Sequence, residues 1–302
     1  MNITFNQLQV LLKIRETGSV TKAAEALHLT QPAVSIQLRN LQDQFDVPLT
    51  EVVGRKIYIT DFGNQIAQAA AEIAEQVHAI HYLSLAAKGQ LTGRIRISVV
   101  STGKYVMPYF LSGFLARHPG IELAMDVTNK AQVIDSLERN EVDFSLVSIK
   151  PDHLRVEQLE LMENRLVLVG TNDTPPPEDG PGVPSLPDAP LIFREKGSGT
   201  RQTMETFLKQ HGLTTTKTME LTSNEAVKQA VLAGLGISIM PVIGIRNELK
   251  DGRLKIIPFP GLPLTTTWTL IWPSGKNHSP AVTALLNQIE ATKDEVIRTC
   301  FQ

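Results

Sequence analysis

Residues Thr30-Gln31-Pro32-Ala33-Val34-Ser35, continuing through Ile36-Gln37-Leu38-Arg39-Asn40-Leu41-Gln42 to Phe45, decide the first fold assignment. Thr30 suits the position just before a helix, because its hydroxyl can accept a first-turn N–H that has no carbonyl partner. Pro32 then falls in that first turn, where a missing N–H does no harm. Val34, Leu38, Leu41 and Phe45 recur at helical spacing and form one apolar stripe. The opposite side carries Gln31, Ser35, Arg39 and Gln42. A helix with an apolar back therefore presents amides, a hydroxyl and a guanidinium to whatever it meets.

Immediately upstream, about Val20 to Leu27, a short helix has Ala23, Ala24 and Leu27 on its apolar side, and its small residues allow close approach of a neighbour. Ser19 or Thr21 can cap it. Before that, Phe5, Leu8, Leu11, Leu12 and Ile14 mark a first helix that Gly18-Ser19 ends. Short helix, turn and proline-started helix spell a helix-turn-helix from Val20 to Phe45. Such a helix places its N-terminal residues in the DNA major groove. Gln31 can pair with an adenine edge through two bonds, Ser35 can reach a base or a phosphate, and Arg39 suits a phosphate or a guanine. A helix face that simply meets water is the other reading of these polar residues.

After Pro48, the stretch Gly54-Arg55-Lys56-Ile57-Tyr58-Ile59-Thr60 alternates and is basic. It predicts a two-stranded wing in which Arg55 and Lys56 hold phosphates. Asp61 then opens a long helix, about Phe62 to Lys88. Ile66, Ile73, Ile80 and Ala87 repeat every heptad, with Ala70, Val77 and Ser84 between them. Ile66, Ala70, Ile73, Val77 and Ile80 thus predict a dimer seam; a helix packed on its own domain is the alternative. His78 and His81 lie one turn apart but lack the further ligands a metal site needs.

From Arg94 onward the pattern alternates strand and helix, which predicts a doubly wound parallel sheet in two similar halves. The expected strands are Ile95–Val100, Ile121–Val127, Val142–Ile149, Leu166–Gly170, Leu191–Arg194, Thr218–Leu221, Ile237–Met240 and Thr267–Trp272, with a closing helix at Ser279–Arg298. Asp173 to Pro190, rich in proline, glycine and acid, reads as a surface loop. The expected organisation is α+β and multi-domain: a DNA-binding domain at 1–60, a linker helix at 61–89 and a two-lobed domain at 94–302. Lobe one spans about 94–165 plus 269–302, and lobe two about 166–268.

Ligands in open parallel sheets bind beyond the carboxyl ends of the strands. Ser101, Thr102, Thr128, Asn129 and Ser148 stand there in the first half. In the second half, Gly197-Ser198-Gly199-Thr200 precedes a helix and Ser223-Asn224 opens another. Bare N–H groups and hydroxyls make an anion cradle, to which Arg201 can add charge. The expected ligand is a small anion: a carboxylate, a sulfate or a phosphorylated metabolite. Helix caps without a ligand are the alternative, since caps use the same residue types.

The bulk numbers bound these readings. At 302 residues, two or three domains are expected. The formal net charge of −2 means that any nucleic-acid binding comes from a local basic surface. The single cysteine, Cys300, excludes an internal disulfide or a cysteine-rich metal site. The N-terminus has no basic start followed by an apolar core, and the apolar stretch from Ala230 to Ile245 is broken by Gly234, Gly236, Ser238, Pro241 and Gly244. A cytoplasmic protein without a membrane span, and without a cofactor, is expected. No Gly-x-Ser-x-Gly elbow, phosphate-loop lysine motif or His-Glu-x-x-His is present. A small-molecule-binding protein or an enzyme built on the two-lobed domain remains the alternative to a regulator.

The chain resembles the LysR-type transcriptional regulators. The resemblance rests on Phe5, Leu8, Gly18-Ser19, Thr21, Ala23-Ala24, Leu27, the run Thr30 to Ser35, Leu38, Leu41 and Gly54-Arg55. In the C-terminal part it rests on His118-Pro119, Asp143, the run Ala226 to Pro241 and a short strand near Leu254. It implies a winged helix-turn-helix, a linker helix and a two-lobed effector domain like the periplasmic binding proteins. It also implies promoter DNA, a small effector and a second copy of the chain as partners, with homotetramers common. Ser101 to Tyr105 and Arg194 to Arg201 resemble the subgroup related to regulators of Calvin-cycle operons and of sulfur assimilation. The sequence departs from the family at Thr50, where phenylalanine is usual, at Val53, where arginine is usual, and at Asp43 and Asp46. The loss at Val53 removes an expected DNA contact of the wing.

Overall fold

The computed structural model describes residues 2–54, 56–86, 91–177, 185–215 and 217–301; the side chains at 75, 78, 79 and 81–86 lie outside that description. The chain divides into two compact units, Met1–Gln90 and Leu91–Gln302.

The first unit contains α1 (Phe5–Thr17), α2 (Val20–Ala26), α3 (Gln31–Gln42), β1 (Thr50–Val53), β2 (Lys56–Ile59) and α4 (Asp61–Ala86). Each short helix starts on a side-chain cap. Thr4, Ser19 and Thr30 accept from the backbone N–H of Gln7, Lys22 and Ala33. Gly18 ends α1 in the left-handed region at φ 61°, where a side chain is disfavoured. Val10, Ile14, Ala23, Ala24 and Val34 form one buried cluster; Leu8, Leu11, Leu41, Leu49, Ala67 and Ala70 form a second. Leu38 packs against both. Phe45 meets Phe62 edge to face, with centroids 5.6 Å apart.

Two expectations change here. Thr60, not Asp61, caps α4: its Oγ1 accepts from the Gly63 N–H at 2.9 Å and donates to the Pro48 carbonyl at 2.6 Å. The proposed seam also divides. Ala70 is buried and Ile66 packs on the Leu8–Leu41 cluster, so both serve the core of their own unit. Ile73, Val77 and Ile80, beyond the reach of that core, are 47%, 41% and 67% exposed. Ala87 lies outside the described residues, as does the side chain of Ser84.

The second unit is built on a mixed sheet, not the all-parallel one that strand–helix alternation suggests. Lobe one contributes β3 (Gly93–Val100), β4 (Ile121–Thr128) and β5 (Phe144–Val147), which are parallel, with α5 (Met107–Arg117) and α6 (Lys130–Glu138) between them. The long β6 (Val156–Gly170) then runs from lobe one into lobe two. Lobe two adds β7 (Leu191–Arg194), α7 (Gly199–Gln210), β8 (Thr218–Leu221), α8 (Asn224–Leu232), β9 (Ser238–Pro241), α9 (Arg246–Lys250) and β10 (Lys255–Ile256). β11 (Leu264–Pro273) returns antiparallel to β6, and α10 (Pro280–Cys300) closes lobe one. The strand order is β10-β6-β11-β5-β3-β4, with β9 also on β6; β7 and β8 pair separately and in parallel.

β6 begins ten residues before the expected Leu166. Its first ten residues, Val-Glu-Gln-Leu-Glu-Leu-Met-Glu-Asn-Arg, intersperse buried with exposed positions, so charge on one face masks a half-buried strand. Leu159, Leu161, Trp268 and Leu270 belong to the lobe-one core, whereas Leu166, Leu168, Ile237 and Ile239 belong to lobe two. At the crossover Asn164 donates to Thr266 Oγ1 at 3.0 Å. Two strands therefore join two independent cores, and this creates a cleft between the lobes. No helix among the described residues is long and apolar enough to cross a membrane.

Candidate DNA-binding surface and effector cleft

On α3, Val34 and Leu41 are fully buried while Gln31, Pro32, Ile36, Arg39 and Asn40 are exposed. Gln31 Nε2 donates to Ser35 Oγ at 3.1 Å, one turn along the helix. This bond uses one amide hydrogen and leaves Oε1 and the second hydrogen for a partner, which is the pair that an adenine edge requires. Gln42 is not part of this face. Its Oε1 accepts from the Leu49 N–H at 2.6 Å and its Nε2 donates to Phe45 and Val47 carbonyls, so it pins the loop after α3.

β1 and β2 form the expected wing, with Val53 opposite Lys56 and Gly54 at φ 66° in the turn. Lys56 is exposed, Val53 is 61% exposed, and Arg55 lies outside the described residues. A groove of about 860 Å³ runs between the α1–α2 junction and the wing, lined by Arg15, Ser19, Lys22, Lys56, Tyr58 and Asn64 among others. Arg15 and Lys22 were not legible as site residues, because only the folded wing shows that they border the same groove as Lys56.

In the second unit, the sheet register aligns the predicted residues at strand ends. Val100 pairs with Thr128 and Val99 with Leu146, which sets Ser101, Asn129 and Ser148 in a row beyond the carboxyl ends of β3, β4 and β5. Across the cleft, Arg194 pairs with Leu221 at the ends of β7 and β8. The Arg194 side chain, 3% exposed, joins these rows. Its Nη2 donates to Ser101 Oγ at 2.9 Å and its Nη1 to Asn224 Oδ1 at 3.3 Å. Glu195 grips the same guanidinium through both carboxylate oxygens at 2.8 Å. Sequence alone does not mark Arg194 as a candidate ligand residue, because it stands inside a predicted strand and meets Ser101 and Asn224 only in the fold.

Asn224 is 1% exposed, and its Nδ2 has no hydrogen-bond partner among the described residues. A buried unpaired amide is costly, by about 1–3 kcal/mol, so it points to a ligand or water. A Cβ on Gly244 would come within 3.1 Å of that nitrogen; glycine keeps the space beside it open. Thr102 and Ser198 are buried, and neither hydroxyl makes the cap bond that its position allows.

Further contacts hold the lobes together. The Ala131 N–H donates to the Gly197 carbonyl at 3.1 Å, and Lys130 Nζ donates to Gln202 Oε1 at 2.9 Å. Burial pushes the Lys130 amine below its ordinary pKa, against the opposing effect of Asp152. Tyr105 donates to Glu225 Oε2 at 3.4 Å; burial, then the Glu225 charge, pushes its hydroxyl pKa up. Ser148 Oγ would lie 3.7 Å from a Cβ on Gly199, whose neighbour Thr200 is half-buried in α7. A cavity of about 820 Å³ opens beside these contacts between α6 and α7, and Lys130, Ala131, Gly197, Ser198 and Gln202 form part of its wall.

Four predicted residues are otherwise engaged. Arg201 is tied to Glu205 at 2.6 Å, to Glu220 at 2.5 Å and to the Arg194 carbonyl at 2.8 Å, so it braces lobe two instead of carrying free charge to the cleft. Those carboxylates hold its pKa above the ordinary value. Ser223 Oγ accepts from the Ala226 N–H at 3.0 Å as the cap of α8, and Thr128 donates to Gln132. Asn129 Oδ1 likewise accepts from the Gln132 N–H at 3.1 Å, capping α6 beside Gly197.

The family model described as the LysR substrate binding domain matches residues 88–293, and that described as the bacterial regulatory helix-turn-helix protein, lysR family, matches residues 5–64. The chain belongs to the LysR family of transcription regulators. As a LysR-family regulator it is 37% identical over 289 residues to the RuBisCO operon transcriptional regulator of Acidithiobacillus ferrooxidans, covering 95% of this chain and 94% of that one. It is 35% identical over 296 residues to the HTH-type transcriptional activator CmpR of Synechocystis sp., covering 98% and 97%. The regulatory domain of CcmR from Synechocystis PCC6803, solved in complex with 2-PG, matches with a TM-score of 0.59 and 30% identity over 67% of this chain and 98% of that domain. The RuBisCO operon regulator is of the Calvin-cycle kind to which the Ser101–Tyr105 and Arg194–Arg201 runs point. Both curated relatives are named as regulators of transcription.

Proposed function

We propose that this LysR-family regulator reads promoter DNA through Gln31, Ser35 and Arg39, and that its hold on DNA responds to a phosphorylated carboxylate such as 2-phosphoglycolate in the Arg194 cleft. The observation that carries the reading is the buried Arg194 guanidinium shared between Ser101 of lobe one and Asn224 of lobe two. A planar guanidinium fits a phosphate or carboxylate through two parallel bonds. Asn224 Nδ2 and the Thr102 and Ser198 hydroxyls supply further donors. The RuBisCO operon relative and the 2-PG complex of CcmR make a carbon-fixation metabolite the first ligand to test.

Glu195 holds the Arg194 guanidinium through both carboxylate oxygens, so an incoming anion exchanges with an internal one. Because Arg194 also holds Ser101, that exchange changes a contact between the lobes. A ligand shifts a conformational equilibrium only through such differential contacts. The protein acts in the cytoplasm. It dimerises through Ile73, Val77 and Ile80, as unsatisfied apolar positions of a heptad seam do, and pairs of dimers form the tetramer.

Isothermal titration of the full-length protein with 2-phosphoglycolate, glycolate and inorganic phosphate tests the ligand class. Saturable binding of 2-phosphoglycolate, weaker binding of the fragments, and loss of both in Arg194→Met support it. Binding that survives Arg194→Met unchanged overturns it.

A further inference from the structure

The outward face of α3 is not uniformly polar. Pro32, Ile36 and Arg39 follow one another at helical spacing along its centre, with Gln31 and Ser35 on one flank and Asn40 on the other. Ile36 is 56% exposed and does not enter either cluster of the first unit, whereas Val34 and Leu41 are fully buried and Leu38 bridges both clusters. The core is complete without Ile36. The helix thus carries an apolar side chain, beside the exposed ring of Pro32, at the middle of the face it presents to DNA.

We propose that Ile36 is a specificity-determining residue that packs on the C5-methyl group of a thymine in the major groove. That methyl is the apolar feature of a base-pair edge there, and a branched aliphatic side chain has no other recognition chemistry to offer. The same side chain acts against alternatives. Set against a cytosine amino group or a guanine edge, it would strip water from donors and acceptors and return no hydrogen bond. Ile36 therefore favours thymine by contact and disfavours a G·C pair by desolvation. One turn back, Gln31 is oriented by Ser35 for an adenine edge, so the two readers together select an A·T-containing half-site.

The test uses duplexes selected from a random pool by the full-length protein. Each thymine is replaced singly by uracil, which removes only the methyl, and affinity is measured by fluorescence anisotropy for wild type, Ile36→Ala and Ile36→Val. In wild type, one replacement per half-site weakens binding about four-fold, the equivalent of one buried methyl. Ile36→Ala binds the thymine site more weakly and ignores that replacement, while Ile36→Val keeps part of the sensitivity. The exposed position predicts unchanged thermal unfolding for both variants. Wild type that is indifferent to every replacement, or Ile36→Ala that retains the same sensitivity at the same base, overturns the proposal.

Discussion

Arg194 of lobe two donates from Nη2 to Ser101 Oγ of lobe one at 2.9 Å, and the same guanidinium is held at 2.8 Å by both carboxylate oxygens of Glu195. A buried charge with a partly buried partner is costly to break from one side. Arg194→Met leaves Glu195 partly buried and unpaired, with an expected loss of about 1–3 kcal/mol in urea unfolding. The Arg194→Met/Glu195→Gln double variant removes both charges and recovers most of that loss. Equal destabilisation in the single and double variants would show that the pair itself is not what the fold depends on.

In the proposed cleft Glu195 would compete with the anion for Arg194, and its charge would set the concentration at which the cleft fills. Glu195→Gln keeps the shape and weakens the grip. The affinity for 2-phosphoglycolate is expected to rise about ten-fold, the scale of one hydrogen bond to a charged group. If Glu195 only aimed Arg194 at the ligand, titration of the variant would show weaker binding.

Gln31 and Ser35 make a paired prediction. Gln31→Ala removes the proposed base reader and is expected to weaken binding to a selected site by about 1–3 kcal/mol, with little change on random duplex. Ser35→Ala removes only the bond at 3.1 Å that orients the amide, and the expected loss is smaller. Gel shifts on both DNA classes check this. Equal losses on specific and random DNA would exclude base reading by Gln31.

The heptad positions separate into two roles. Val77→Glu adds a charge at a position 41% exposed, so sedimentation velocity is expected to report smaller species while the thermal unfolding of the first unit is retained. Ala70→Leu instead overfills a site that is 1% exposed, and costs about 1–3 kcal/mol of stability with assembly retained. Unchanged sedimentation of Val77→Glu would remove the seam from the account.

Much of this was legible in the residues. The Thr30–Pro32 start, the Val34–Leu38–Leu41 stripe and the strand-end hydroxyls Ser101 and Thr102 are local signals, and local periodicity or capping chemistry suffices to read them. Arg194 was not legible as a ligand residue, because its meaning depends on Ser101, 93 positions away in the chain. Arg201 misled for the complementary reason: its charge is consumed by Glu205 and Glu220, which only the fold brings together. The first ten residues of β6 were hidden by its exposed glutamates, and Ile36 by the expectation that a DNA-facing surface is polar.

Coupling of an anion to DNA binding through Arg194 is measured by fluorescence anisotropy on a selected duplex. Full-length wild type and the Arg194→Met/Glu195→Gln double variant are compared with and without 2-phosphoglycolate. The ligand is expected to shift the wild-type DNA affinity and to leave the double variant unmoved. A shift of the same size in both would contradict coupling through Arg194.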